Sequence, residues 1–205
     1  MELPPDRAAS TGNGFTRQQQ EGRIVPASGC IGRPEMAGLD RYAGTFNRDS
    51  LTMDVNLALS PQAILFDKID SKPKVLAAIA QLLSQAYGLD EGEVLENLEA
   101  REALGSTGFG RGVAIPHCRS KDVRRPSLAM IRLEQPIDFA AADSRPVTLV
   151  CGLVSPENAG ATHLHALAAI SRLTRDEAKL QMLADAPTTE AAYALLTTQF
   201  ERDAA

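Results

Sequence analysis

The chain has 205 residues, 44% apolar and only 4% aromatic without Trp, which suits one α/β globule whose core is aliphatic. A net charge of −5 with no basic stripe argues against nucleic acid as the main partner. The three cysteines, Cys30, Cys118 and Cys151, form no C-x-x-C pair, no run of 18 apolar residues could insert in a membrane, and no signal-peptide pattern opens the chain, so a reduced, cytoplasmic setting is expected.

Residues 1–52 are rich in Pro, Gly, Arg and Gln and lack periodicity, as expected of a disordered extension that buries too little apolar surface to offset chain entropy. Met53 opens the organised region, 53–205, and is a candidate translation start. The stretch QAILFD, 62–67, reads as a short strand. Ser71 is placed to cap a helix carrying Val75, Leu76, Ile79, Leu82, Leu83 and Tyr87 on one face, with Gly88 as its stop. Asp90 and Glu93 have the spacing of a capping box for a second helix, with Val94, Leu95 and Leu98 inward, ending at Gly105. On that helix Arg101 follows Val94 and Leu98 on the same face and is placed to turn inward, the competing reading being a cation that stabilises the helix C-terminus, whereas Glu99 and Glu102 read as solvated.

The segment GSTGFGRGVAIPHC, 105–118, holds Gly105, Gly108, Gly110 and Gly112. Such a loop can aim successive N–H groups at an anion, and Ser106, Thr107, Gly108, Gly110 and Gly112 are the candidate phosphoryl-binding loop. The spacing is not that of a nucleotide-binding G-x-x-x-x-G-K-[ST] loop, and the competing reading is a helix cap plus a tight turn. The residues before Pro116 read as extended, ending or edging a sheet there, so His117 stands where a strand leaves it. A neutral imidazole is a competent nucleophile.

Two strands are expected next, SLAMIRLE at 127–134 and the continuously apolar PVTLVCGLV at 146–154. A helix over 161–173 follows, with Thr162 near its start, and two more cover 175–186 and 188–200. His163 and His165 point about 200° apart on a helix, so only one of them can face His117. His163, in the first turn, is that one, and His165 reads as a packing or surface residue. A zinc hydrolase built on His117, Cys118, His163 and His165 is the remote alternative, although these spacings match no established zinc set.

The run LENLEAREALGSTGFGRGVAIPHC, with PIDF at 136–139 and THLHAL at 162–167, resembles the type-2 (mannitol/fructose-type) IIA domain of the bacterial phosphotransferase system, most closely its nitrogen-regulatory members. The resemblance covers roughly 53–200. It implies a mixed β-sheet flanked by helices in a single layered domain. It also implies His117 as the phosphorylated nucleophile, with His163 as the second active-site histidine and Arg101 near the phosphoryl group. No cofactor is implied, because the phosphate comes from phosphoenolpyruvate through carrier proteins. The implied partners are an HPr-like carrier of the nitrogen branch and regulated targets such as transporters or kinases. A sugar-specific IIA component that passes phosphate to a IIB domain is the alternative. Two departures stand out: Cys118 follows the histidine where the family commonly has Gly, and Arg111 replaces Asn or Asp, putting a positive charge beside the site.

Overall fold

The computed structural model describes residues 56–204, so the expected extension over 1–52 and the candidate start at Met53 lie outside the described residues. A 3-10 turn at Pro61–Ala63, capped by the Ser60 hydroxyl, precedes β1 (Ile64–Asp67), so the first strand starts two residues later than its apolar run. Helices α1 (Lys72–Tyr87) and α2 (Glu91–Ala103) follow. Then come the short strands β2 (Gly108–Gly110), β3 (Val113–Ala114) and β4 (His117–Ser120) and the long strands β5 (Ser127–Ile137) and β6 (Val147–Pro156). Three helices close the chain: α3 (Gly160–Arg175), α4 (Glu177–Ala184) and α5 (Thr189–Ala204).

The six strands form one mixed sheet in the order β1-β5-β6-β3-β2, with β4 also pairing β6. β5 and β6 are antiparallel, whereas β1 runs parallel to β5, and both β3 and β4 run parallel to β6. The alternation of a strand decides which core each residue joins. On β6, Leu149, Cys151 and Leu153 face the layer of α3, α4 and α5, while Val150 and Val154 face α1 and α2. On β5, Leu128 and Met130 face the first layer, and Ala129 and Ile131 the second. Both faces of β6 are therefore dry, which is why its sequence is continuously apolar. Each fully buried Leu, Ile or Val contributes about 1.5–3 kcal/mol through removal from water.

Local signals explain most helix ends. Gly88 takes the left-handed conformation at φ 72° and its N–H closes on Ser84 O. Asp90 accepts from Glu93 N–H at 2.7 Å, as its position predicts, but the Glu93 carboxylate turns to Lys121 and Ser120 rather than completing a reciprocal box. Ser71 stands at the start of α1 with extended backbone yet makes no capping bond through its side chain. α3 starts at Gly160 without a side-chain cap, which puts Thr162 in its first turn.

The stretch VAIPHC is not one strand ending at the proline. β3 and β4 both run along β6, Val113 opposite Leu149 and His117 opposite Leu153, with Ile115 and Pro116 between them. The Pro116 carbonyl still accepts from Leu153 N–H at 2.9 Å, so the ladder carries across the interruption. Pro116 lacks an N–H, and β4 has β6 as its single strand partner, with α2 against it. His117 thus opens a strand segment at the sheet's margin, beneath the last turns of α2.

Candidate active site around His117

His117 is half-buried, and two fixed groups determine what its ring can do. Its Nδ1 lies 2.8 Å from the carbonyl of Ile115, two residues back across the proline. A carbonyl only accepts, so Nδ1 carries the proton. Arg101 Nε donates to His117 Nε2 at 3.0 Å, which requires a lone pair on Nε2. The ring is therefore the neutral Nδ1–H tautomer with Nε2 as its free basic atom. Burial pulls the His117 pKa below the ordinary histidine range and the Arg101 guanidinium pulls it further, against the Ile115 hydrogen bond and the Glu102 charge, which raise it.

Arg101 comes from the inward face of α2, which places it above β4. Its second anchor is Gly105, whose carbonyl accepts from Nη1 at 2.9 Å in the turn that ends the helix. Arg101 therefore reaches inward from the C-terminal end of the helix, as the sequence pattern suggests. Glu102 differs from its sequence reading. Its side chain is 9% exposed rather than solvated, and its carboxylate accepts from Lys72 Nζ at 2.8 Å and from Thr107 N–H and Oγ1 at 2.9 and 2.6 Å. Spacing on a helical wheel placed Glu102 toward solvent; the Thr107 turn folds back and covers it.

His163 is brought to His117, their ring centroids 5.5 Å apart and tilted by 51°. It is 6% exposed, and its Nδ1 lies 2.9 Å from the fully buried Ser155 hydroxyl near the end of β6. Burial, with help from His117 and Arg119, pulls its pKa down to about 4, so it is neutral at pH 7. His165, two residues on, is half-buried and lies outside this cavity. Ser155 was not singled out in the sequence; the one available signal is a hydroxyl that follows the apolar run Leu149–Val154.

A cavity of roughly 560 Å³ opens over these groups, bordered by Asn97, Arg101, Leu104, His117, Arg119 and His163 among others. Leu104 is 85% exposed at its rim. None of Ser106, Thr107, Gly108, Gly110 and Gly112 borders it. Three of their donors are committed elsewhere: Thr107 N–H to Glu102, Gly108 N–H to the Ser106 hydroxyl, and that hydroxyl to Phe139 O. Gly108 is needed for close approach, because a Cβ there would stand 2.7 Å from the Cα of Ala141. Gly110, Arg111 and Gly112 all have positive φ and form the turn of the β2–β3 hairpin. Arg111 does not charge the His117 cavity; its side chain crosses to Arg175 O at 2.6 Å and to Glu177 at 3.1 Å.

Cys118 sits in regular strand register opposite Val154, so the replacement of glycine costs the backbone nothing. It is 5% exposed within the core cluster facing α1 and α2, and burial pushes its thiol up to about 12. Among the described residues no group of three or more His, Cys, Asp and Glu side chains is arranged to hold a metal ion. The ligands of the zinc alternative are not assembled, because Cys118 points into the core and His165 lies away from the pair.

The chain matches the family described as "Phosphoenolpyruvate-dependent sugar phosphotransferase system, EIIA 2" over residues 58–199. It is 40% identical over 145 residues to a nitrogen regulatory protein of Bradyrhizobium diazoefficiens, an alignment covering 70% of this chain and 95% of the relative. The crystal structure of the nitrogen regulatory protein IIA-Ntr from Neisseria meningitidis is similar with a TM-score of 0.63 and 35% identity, over 68% of this chain and 95% of that one. The IIA mannitol structure from Escherichia coli shares the fold at a TM-score of 0.58 and 22% identity, over 68% and 99% of the two chains. With the matched region spanning the whole sheet and the helices on both its faces, the chain belongs to the phosphotransferase system EIIA type-2 family.

Proposed function

We propose that this protein accepts a phosphoryl group on Nε2 of His117 from a small HPr-like carrier and controls partner proteins by its phosphorylation state. The observation that carries the reading is the Nδ1–H bond to Ile115, which leaves the Nε2 lone pair as the nucleophile beside a guanidinium. The lone pair attacks phosphorus on the carrier's phosphohistidine. The carrier's N–P bond breaks, and its ring nitrogen leaves with the electron pair. His117 keeps its Nδ1 proton on Ile115 O throughout, so the transfer moves no proton at this ring. Arg101 then donates to phosphoryl oxygens in place of the nitrogen it contacts in the free protein.

His163 supplies a second donor in this reading. If Ser155 donates its O–H to Nδ1, His163 carries its own proton on Nε2, a neutral donor for a phosphoryl oxygen. The chemistry is positioning and charge stabilisation, so the chain's own residues are sufficient without a cofactor. The phosphate derives from phosphoenolpyruvate through the upstream carriers. The proposed setting is cytoplasmic, as the supply of phosphate from phosphoenolpyruvate through carrier proteins requires.

Likeness to proteins named nitrogen regulatory proteins supports the regulatory output over sugar transport. The test is incubation with phosphoenolpyruvate and upstream carriers, with the phosphosite mapped by mass spectrometry. Labelling of His117 that is abolished in His117→Ala is expected, with faster transfer from a nitrogen-branch carrier than from a sugar-branch one. Persistent labelling of His117→Ala refutes the acceptor assignment, and the reverse carrier preference favours a sugar-specific IIA component.

A further inference from the structure

Glu102 is the chain neighbour of Arg101, yet its carboxylate points away from the His117 cavity and both its oxygens are engaged. Oε1 accepts from Lys72 Nζ at 2.8 Å, and Oε2 from Thr107 N–H at 2.9 Å and Thr107 Oγ1 at 2.6 Å. A carboxylate drawn largely out of water is costly unless its lone pairs are met, and here an ammonium and two oriented donors meet them. Burial alone would raise its pKa, but Lys72 and Thr107 outweigh it and hold the carboxyl below its ordinary range. This anion fixes Thr107 at its backbone and its side chain together.

Two paths lead from Glu102 to the two nitrogens of the His117 ring. In the first, the Glu102 carbonyl accepts from Gly105 N–H at 3.1 Å. That turn presents the Gly105 carbonyl to Arg101 Nη1 at 2.9 Å, and Arg101 Nε meets His117 Nε2 at 3.0 Å. In the second, the Thr107 carbonyl accepts from Ile115 N–H at 2.9 Å, and the Ile115 carbonyl accepts from His117 Nδ1 at 2.8 Å. The short segment from Gly105 to Thr107 joins the two paths, and the Glu102 carboxylate clamps its Thr107 end. Lys72 ties the same clamp to the first turn of α1.

We propose that Glu102 is a positioning residue for His117: by clamping Thr107 it holds both hydrogen-bond partners of the ring, and so fixes the Nδ1–H tautomer and aims Nε2 into the cavity. This rests on the reading of His117 as the phosphoryl acceptor only where rates are concerned, since the tautomer is a property of the free protein. Charge and geometry are both needed. An amide has one acceptor oxygen, which cannot serve Lys72 and Thr107 together, and its NH₂ group would face one of these donors with another donor.

The test uses the full chain labelled with ¹⁵N-histidine, as wild type, Glu102→Gln and Thr107→Val, with long-range ¹H–¹⁵N correlation spectra of His117 and cooperative melting as the check on folding. The wild type is expected to give the pattern of a single Nδ1–H tautomer. Glu102→Gln is expected to give averaged shifts from both tautomers and phosphoryl acceptance slower by about tenfold or more, as misplacement of a reacting group predicts. A folded Glu102→Gln with the wild-type His117 pattern overturns the proposal whatever its rate. If Glu102→Gln does not fold, Thr107→Val, which deletes one donor and keeps the shape, decides by the same criterion. A wild type that no carrier phosphorylates overturns the acceptor reading, while the spectra still decide the role of Glu102.

Discussion

Arg101 Nε donates to the one nitrogen of His117 that carries a free lone pair, at 3.0 Å. With burial, the guanidinium there disfavours the protonated imidazole, and in the proposed reaction it turns to the phosphoryl oxygens. In Arg101→Ala the ring loses this donor, and phosphoryl acceptance should fall on the order of 100-fold, the usual cost of one oriented transition-state donor. Arg101→Lys keeps the charge but not the fork that also reaches Gly105 O, so its rate should lie between the two. Single-turnover transfer from a phosphorylated carrier measures both, and an unimpaired Arg101→Ala would remove Arg101 from the mechanism.

Ser155 is fully buried and holds Nδ1 of His163. Replacing it with Ala leaves a buried ring nitrogen without its partner, at a cost of about 1–3 kcal/mol. His163 should also lose its preferred tautomer, so transfer to His117 slows more than the loss of stability alone would cause. Denaturant midpoints together with transfer rates at a temperature where the variant is folded test this. A wild-type rate in Ser155→Ala would show that the His163 tautomer does not matter.

The pH dependence of stability follows from His163. Its folded pKa of about 4 lies below the ordinary value, so above pH 6.5 both states are neutral and the group contributes nothing. As pH falls from 6.5 towards 4 the unfolded chain takes up a proton that the folded one refuses, and stability drops progressively. The depressed pKa of His117 acts in the same direction. The carboxylates Glu102, Asp143 and Asp176 also have lowered pKa values, but their contribution is lost only below their unfolded values, at more acid pH. Denaturant melts between pH 7 and 5 should show a slope that is markedly reduced in His163→Gln. An identical slope in the variant would assign the loss to other groups.

Gly108 is a test of what the glycine-rich stretch is for. Its N–H already bonds the Ser106 hydroxyl at 3.0 Å, and an added Cβ would strike the backbone of Ala141. Gly108→Ala should therefore lose about 1–3 kcal/mol through overpacking and displace the β2–β3 hairpin. Transfer should suffer only as far as the Thr107 and Ile115 bonds are disturbed. A variant as stable as the wild type but unable to take phosphate would instead indicate a direct role in binding the phosphoryl group.

Much of the layered fold was legible in local sequence. Helical spacing from Val75 to Tyr87 with Gly88 beyond it, and the apolar run of β6, are short-range patterns that tertiary contacts reinforce. The β2–β3 hairpin was not legible, because its strands are three and two residues long and take their shape from Ala141, Asp143 and β6. Arg111 was misplaced for the same reason: its chain neighbours put it beside the site, while its bonds run to Arg175 and Glu177, more than 60 positions away.

At the site, the sequence by itself determined the chemical types: a histidine after an Ile-Pro step, a second histidine in the first turn of a helix, and an arginine on the inward face of another. Those follow from motif and period, which are local. Only the tertiary structure decided which nitrogen of His117 is basic, that Ser155 backs His163, that Glu102 is covered by Lys72 and Thr107, and that the Thr107 and Gly108 amides already have partners. Each of these depends on hydrogen-bond partners joined by closure of the sheet and packing of α2 and α3 on it. A linear pattern can name a donor, but the direction in which it donates is set by what the folded chain places opposite it.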